Sequence, residues 1–171
     1  MVPLTSEKLV GLAPVIDDQA KILILGSMPG TESLKKEQYY ANKRNQMWKI
    51  MENILQLQLP EEYSQRINVL KEHHIALWDV IHSCKRVGSL DSAITEDVPN
   101  DFMTLFKQHS SLKIVGFNGN KAYQTFKTKI GFQDFPEIQF VKLPSTSPVP
   151  GKNVKSFEEK VVEWSKVVNS L

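Results

Sequence analysis

Ile22 to Leu25, four consecutive aliphatic side chains, run straight into the turn GSMPG at 26–30, and this junction constrains the fold more than any other stretch of the chain. A strand that is apolar at every position must be covered on both faces, which is the condition of a parallel sheet flanked by helices. The glycines and proline of GSMPG then turn the chain sharply out of the sheet. Ligand sites in open α/β sheets lie beyond the carboxyl ends of the strands. Any chemistry is therefore expected near Ser27, Met28 and the polar, aromatic and amide-rich loop that follows.

The remainder of the chain alternates strand with helix. Asn45 to Leu57 carries Met47, Trp48, Met51, Ile54 and Leu55 at helical spacing. A second helix is expected over Glu61 to His73, with Tyr63, Ile67 and Leu70 on one side, and a second strand over Ile75 to Val80. His82 to Asn100 reads as a loop broken by Gly88 and Pro99, and Pro99 also suits the start of a helix over Asp101 to Gln108. Leu112 to Phe117 is the third strand, Gly119 opens a helix through Phe126, and Glu137 to Leu143 is the fourth strand. The loop PSTSPVPG precedes a last amphipathic helix, Ser156 to Val168. This order argues for a parallel sheet with helices on both faces.

With 171 residues, 41% of them hydrophobic, the chain suits one domain over 1–171 with its own core. No apolar run is long enough to cross a bilayer and the amino terminus lacks a signal-peptide pattern, so a soluble, cytoplasmic protein is expected. The single cysteine, Cys84, excludes an internal disulfide, an iron–sulfur cluster and a Cys-rich zinc site, and reads as a small buried hydrophobe. Net charge is only +2. Its placement says more: Lys35, Lys36, Lys43, Arg44, Lys85, Arg86, Lys121, Lys152 and Lys155 fall in the loops expected after successive strands, while Glu61, Glu62, Glu158 and Glu159 fall elsewhere. One basic rim would suit phosphates; scattered solvated charges are the competing reading.

Four strand ends would bring together GSMPG with its following loop, WDVIHSC, GFNGNKAY and LPSTSP. With YYANKRNQMW, ALWDVIHSCKRVGSLDSAI and VPNDF in the same order, these segments resemble the uracil-DNA glycosylase superfamily, and specifically its hypoxanthine-DNA glycosylase branch. The resemblance runs from about Gly11 to the final helix. It implies a three-layer α/β/α sandwich around a four-stranded parallel sheet. It also implies a monofunctional, base-flipping enzyme that cuts the bond between a deaminated base and deoxyribose. The partner is then DNA containing deaminated bases, and a monomer without metal, cofactor or membrane is expected.

The same resemblance assigns the site. Tyr40, with Tyr39 beside it, matches the aromatic position that stacks on the flipped base; ordinary packing is the alternative. Met28 stands where several branches hold a polar water-positioning residue, and it cannot bond strongly. Asn45 is the position carried over for the catalytic asparagine, although it also suits a helix cap, and Asn42 is a nearby second amide. Asp79 would accept a ring N–H of hypoxanthine or uracil, or else bond local backbone. Backbone N–H groups at Ser27 and Met28, or the Asn118 side chain, would serve the keto oxygen; Asn118 also reads as a turn residue. Ser145, Thr146 and Ser147 would hold the DNA backbone, with Lys152 nearby and Val149 as a candidate wedge. Leu143 stands where other branches place a histidine. His73, His74 and His109 close helices, His82 follows Asp79 by three residues, and no histidine pair has metal-ligand company.

Two other readings stay open. One is a uracil or mismatch-specific glycosylase, since both bases present a keto oxygen beside a ring N–H. The other is a nucleic-acid-binding protein of this fold that has lost catalysis, which Met28 keeps in play. A Ser-His-Asp hydrolase lacks its nucleophile elbow, a phosphate loop ending in Lys-Ser or Lys-Thr is missing, and no motif lysine is placed for lyase chemistry.

Overall fold

The computed structural model describes residues 8–149 and 154–171. In chain order its elements are β1 (Lys8–Val10), β2 (Ile22–Gly26), α1 (Thr31–Lys36), α2 (Met47–Leu55), α3 (Tyr63–Glu72), β3 (Ile75–Asp79) and β4 (Ile81–Lys85). A 3₁₀ turn, Asp91–Ala93, precedes β5 (Thr95–Pro99), α4 (Phe102–Gln108), β6 (Ile114–Asn118), α5 (Asn120–Lys129), β7 (Gln139–Leu143) and α6 (Phe157–Val168).

β2 is buried at every position, and the alternation of its side chains separates two apolar cores. Ile22 and Ile24 point to one face, where Met47, Met51, Leu70 and Trp164 cover them from α2, α3 and α6. Leu23 and Leu25 point to the other, under Phe102 and Leu105 of α4 and Phe126 of α5. Each such side chain stabilises the fold by about 1.5–3 kcal/mol when fully buried. The second face is phenylalanine-rich: Phe126 stacks on Phe132 with ring centroids 5.6 Å apart and meets Phe117 at 5.3 Å. The result is the α/β/α sandwich, with four parallel strands in the order β3-β2-β6-β7.

Register brings the carboxyl ends of the strands level. Gly26 lies opposite Asp79, and Asn118 opposite Leu143. The residues that matter chemically therefore sit side by side along one edge.

Three parts differ from the sequence expectation. His82 to Asn100 is not simply a loop, because β4 and β5 form with β1 a second, antiparallel sheet in the order β1-β4-β5. Its strands are short and half polar, and β4 pairs with β5 through register shifts, so neither shows a clean alternation. Pro99 ends β5 opposite Ile81 rather than opening α4, which is capped instead by Asp101, its carboxylate accepting the Thr104 N–H at 3.1 Å. α1 lies inside the polar loop after GSMPG and buries only Ser33, too little apolar surface to mark it in sequence. Cys84 is buried in a small cluster with Met28, Ile81 and Ile94.

Candidate active site

At the carboxyl edge of the parallel sheet lies a cavity of about 460 Å³. Ser27, Met28, Tyr40, Asn45, Asp79, Asn118, Ser145, Thr146 and Ser147 all line it, as does Asn42. Lys152 lies outside the described residues.

The floor is set by β2, whose last residue is glycine for a reason of space. A Cβ on Gly26 would fall 2.5 Å from Oδ1 of Asp79 and 3.4 Å from the Tyr40 hydroxyl. After it, the GSMPG turn is clasped by the segment that follows β4. Arg86, expected on a basic rim, is instead only 3% exposed: its Nη2 donates to the Pro29 carbonyl and its Nε to that of Gly88 at 2.8 Å. Its backbone partners and its low exposure make it a clamp on the turn, not a phosphate contact. The Ser89 hydroxyl accepts the Thr31 N–H at 2.9 Å, and the Ser27 hydroxyl donates to Oδ1 of Asp91 at 2.6 Å. Asp91 was not singled out from sequence. It lies within VGSLDSAI, but its separation of 64 positions from Ser27 hides the contact.

Tyr39 and Tyr40 divide their work. Tyr39 is buried, donating its hydroxyl to the Ala13 carbonyl at 2.7 Å and its N–H to the Tyr63 hydroxyl at 3.0 Å, so it anchors the loop. Tyr40 is half-buried with φ of 55°, a left-handed backbone uncommon outside glycine, which swings its side chain to the cavity. Its carbonyl accepts the Trp48 indole N–H at 3.2 Å. Burial pushes both phenols well above their ordinary pKa, so both stay protonated.

Asn118 holds the opposite wall. Its Nδ2 donates to the Tyr40 hydroxyl at 3.2 Å and to Oγ1 of Thr146 at 2.9 Å, while its Oδ1 accepts the Thr146 N–H at 2.9 Å. Both donor hydrogens are thus engaged in locking the 144–149 loop to the tyrosine. The loop is tied further by Trp164, which donates to the Pro144 carbonyl at 2.9 Å, and by the Gln46 N–H, which donates to that of Thr146 at 2.9 Å. Gln46 in turn accepts from the buried Lys160 ammonium at 2.8 Å, whose pKa burial lowers.

Asn45 stands just before α2, and its Oδ1 accepts the Met47 N–H at 3.0 Å. Asn45 thus takes an N–H of the first turn from one residue ahead of the N-cap position, which Gln46 occupies. A carbonyl oxygen has a second lone pair, so the cap leaves room for a water. Asn42 is turned to a local task, its Oδ1 accepting the Arg44 N–H at 2.9 Å. Beside Asn45 a groove is lined by Lys43, Arg44, Lys49, Pro148 and Phe157. Lys85, by contrast, pairs with Glu96 at 3.0 Å.

Asp79 is 5% exposed, and its Oδ2 is enclosed without a hydrogen-bond partner. Burial first, then the nearby Asp91 carboxylate, push its pKa up to about 7 against the pull of Arg86.

The sequence profile of the uracil DNA glycosylase superfamily matches residues 13–167, a span that contains every segment lining the cavity. The chain belongs to the uracil DNA glycosylase superfamily. Within it, a hypoxanthine DNA glycosylase from Methanosarcina acetivorans is 34% identical over 160 residues, covering 92% of this chain and 96% of the relative. A hypoxanthine DNA glycosylase from Methanosarcina barkeri is 38% identical over 126 residues, 72% of this chain and 80% of the relative. A solution NMR structure of a Methanosarcina acetivorans protein superposes with a TM-score of 0.80 at 32% identity, covering 96% of this chain and 98% of that one. The superfamily fold and the strand-end cavity thus coincide in one chain.

Proposed function

We propose that this protein hydrolyses the N-glycosidic bond of hypoxanthine in DNA, taking the deoxyinosine base out of the helix into the strand-end cavity. The observation that carries the reading is the convergence of the Asn45 amide, the Tyr40 ring and the Asp79 carboxyl on that single cavity. The names of the two relatives, both matched over most of this chain, support the same substrate.

A stacked base cannot reach a protein pocket, so the enzyme extrudes the nucleotide. Tyr40 stacks on the base, Asp79 reads its edge, and the backbone N–H groups of Ser27 and Met28 lie where the keto oxygen enters. Ser145, Thr146 and Ser147 meet the DNA backbone, the groove by Lys43, Arg44 and Lys49 continues the phosphate path, and the half-exposed Val149 fills the vacated stack. As the bond to C1′ breaks, its electron pair leaves with the base and an oxocarbenium-like sugar forms. Asn45 orients the water whose oxygen bonds C1′, and in the net reaction a proton of that water ends on the base. Donors aimed at the departing base act most strongly in the transition state. No described lysine lines the cavity, which supports hydrolysis without a Schiff base. All these groups belong to one chain, so a monomer suffices, and a DNA substrate places it inside the cell.

Uracil shares the lactam edge and fits the same cavity, so its excision is the second reading. Single-turnover release from matched oligonucleotides carrying deoxyinosine or deoxyuridine separates the two. Inosine cleavage that drops by about 10²–10⁴ in Asn45→Ala while DNA binding persists is expected. Wild-type protein that binds DNA and releases neither base would replace an enzyme with a binding protein.

A further inference from the structure

We propose that Asp79 meets the flipped base as a neutral carboxylic acid, presenting its hydroxyl to the keto oxygen. This inference rests on the reading that the cavity receives a flipped lactam base.

The placement of the carboxyl group favours the uncharged form. Asp79 ends β3 against the bare Cα of Gly26, with Oδ2 enclosed and unpartnered. Except for Nη1 of Arg86, the side-chain donors that could stabilise a negative charge there are engaged elsewhere. The Ser27 hydroxyl donates to Asp91, both N–H bonds of Asn118 go to Tyr40 and Thr146, and the Asn100 amide donates to the Asp79 main-chain carbonyl at 2.7 Å. Arg86 sends Nε and Nη2 to backbone carbonyls, its buried Nη1 has no partner, and among the described residues no salt bridge joins it to Asp79. The charged and titratable groups facing it are Asp91 from the 3₁₀ turn, Arg86 beyond β4, and the protonated Tyr39 and Tyr40. Their balance, with burial, leaves the carboxyl titrating near 7.

The chemistry of the base points the same way. A lactam presents a keto acceptor, and of the two forms of the carboxyl group only the protonated one can donate to it. An ionised carboxylate offers acceptors only, and it sets one of them against the keto oxygen. Negative charge grows on that base as it departs, so a fixed carboxylate opposes the transition state where an acid hydroxyl stabilises it. A bound lactam must then raise the Asp79 pKa further by linkage.

Two readouts test this. The carboxyl carbon-13 signal of Asp79, assigned by its absence in Asp79→Asn, is expected to titrate near 7 and to move upward when the protein is saturated with a duplex carrying 2′-fluorinated deoxyinosine, whose glycosidic bond resists hydrolysis. In single-turnover release on deoxyinosine, the wild-type rate is expected to fall about tenfold per pH unit above that midpoint. Asp79→Asn keeps one donor and one acceptor but cannot titrate, so its cleavage is expected to lack this fall. The mutant profile also isolates Asp79 from titration of the base itself. A midpoint in the ordinary carboxylate range, a midpoint that does not rise with the duplex, or a wild-type rate that is flat or rising with pH would overturn the proposal. Release of neither base by wild type counts against the proposed function, and the carboxyl titration then still decides the state of Asp79.

Discussion

Asp79 and Asn118 close the two strands that flank β2, yet their side chains are in opposite conditions. Every hydrogen-bonding atom of the Asn118 amide is engaged, twice with Thr146 and once with Tyr40. The Asp79 carboxyl is more deeply buried, and its Oδ2 has no partner at all. A satisfied amide rigidifies its surroundings, whereas an unsatisfied buried group destabilises the protein that holds it. One strand end therefore builds the wall of the cavity and the other waits for what enters it.

The contrast can be broken in four ways, the first with the largest expected effect. Folded Asp79 holds its proton to about pH 7 whereas an unfolded aspartate releases it near 4, so between these values the folded state binds more protons. Stability should fall as pH rises through that window, by about 4 kcal/mol at most, and level off above it. Urea unfolding of wild type and Asp79→Asn at both ends of the window measures this; a difference that does not change with pH removes the contrast.

Next is Gly26→Ala, which puts a methyl group where the Asp79 oxygen lies. Displacing the carboxyl by an ångström is expected to slow base release roughly a hundredfold while the far-ultraviolet spectrum is unchanged. Full activity in this variant would mean that the Asp79 position is not used. Asn118→Ala should act on stability as well as activity, since it leaves the Thr146 N–H unsatisfied; a loss of about 1–3 kcal/mol is expected from thermal or urea unfolding. The mildest test is Thr146→Val, which removes one acceptor of Asn118 at nearly constant volume. A loss of about 0.5–1.5 kcal/mol should accompany it. A variant as stable as wild type would show that the lock between β6 and the 144–149 loop holds little of the wall.

The parts of the molecule that could be read without coordinates share a physical trait: their determinants are local. The unbroken ILIL run dictates a strand covered on both faces, and the spacing of Met47, Met51 and Ile54 dictates a helix with one buried side. The capping box of α6, with Ser156 accepting the Glu159 N–H at 3.2 Å, is equally local. The small antiparallel sheet was not legible because its stability comes from pairing Lys8–Val10 with a segment some 75 residues away, through strands whose alternation is broken by bulges. Arg86 misled for a related reason. Its charge suggests a rim, but the carbonyls that bury it belong partly to the GSMPG turn, 57 residues earlier.

Residue order alone prescribes the layered α/β architecture, the superfamily motifs and the segments that meet at the strand ends, because periodicity and turn chemistry act over a few residues. What each polar group is free to do follows from the folded packing. Tyr39 became an anchor and Tyr40 a cavity wall, Asn118 was engaged and Asp79 left without a partner, and Asp91 was brought onto Ser27. Hydrogen-bond satisfaction and burial are set by partners distant in sequence, and neither exists until the chain has closed around the sheet.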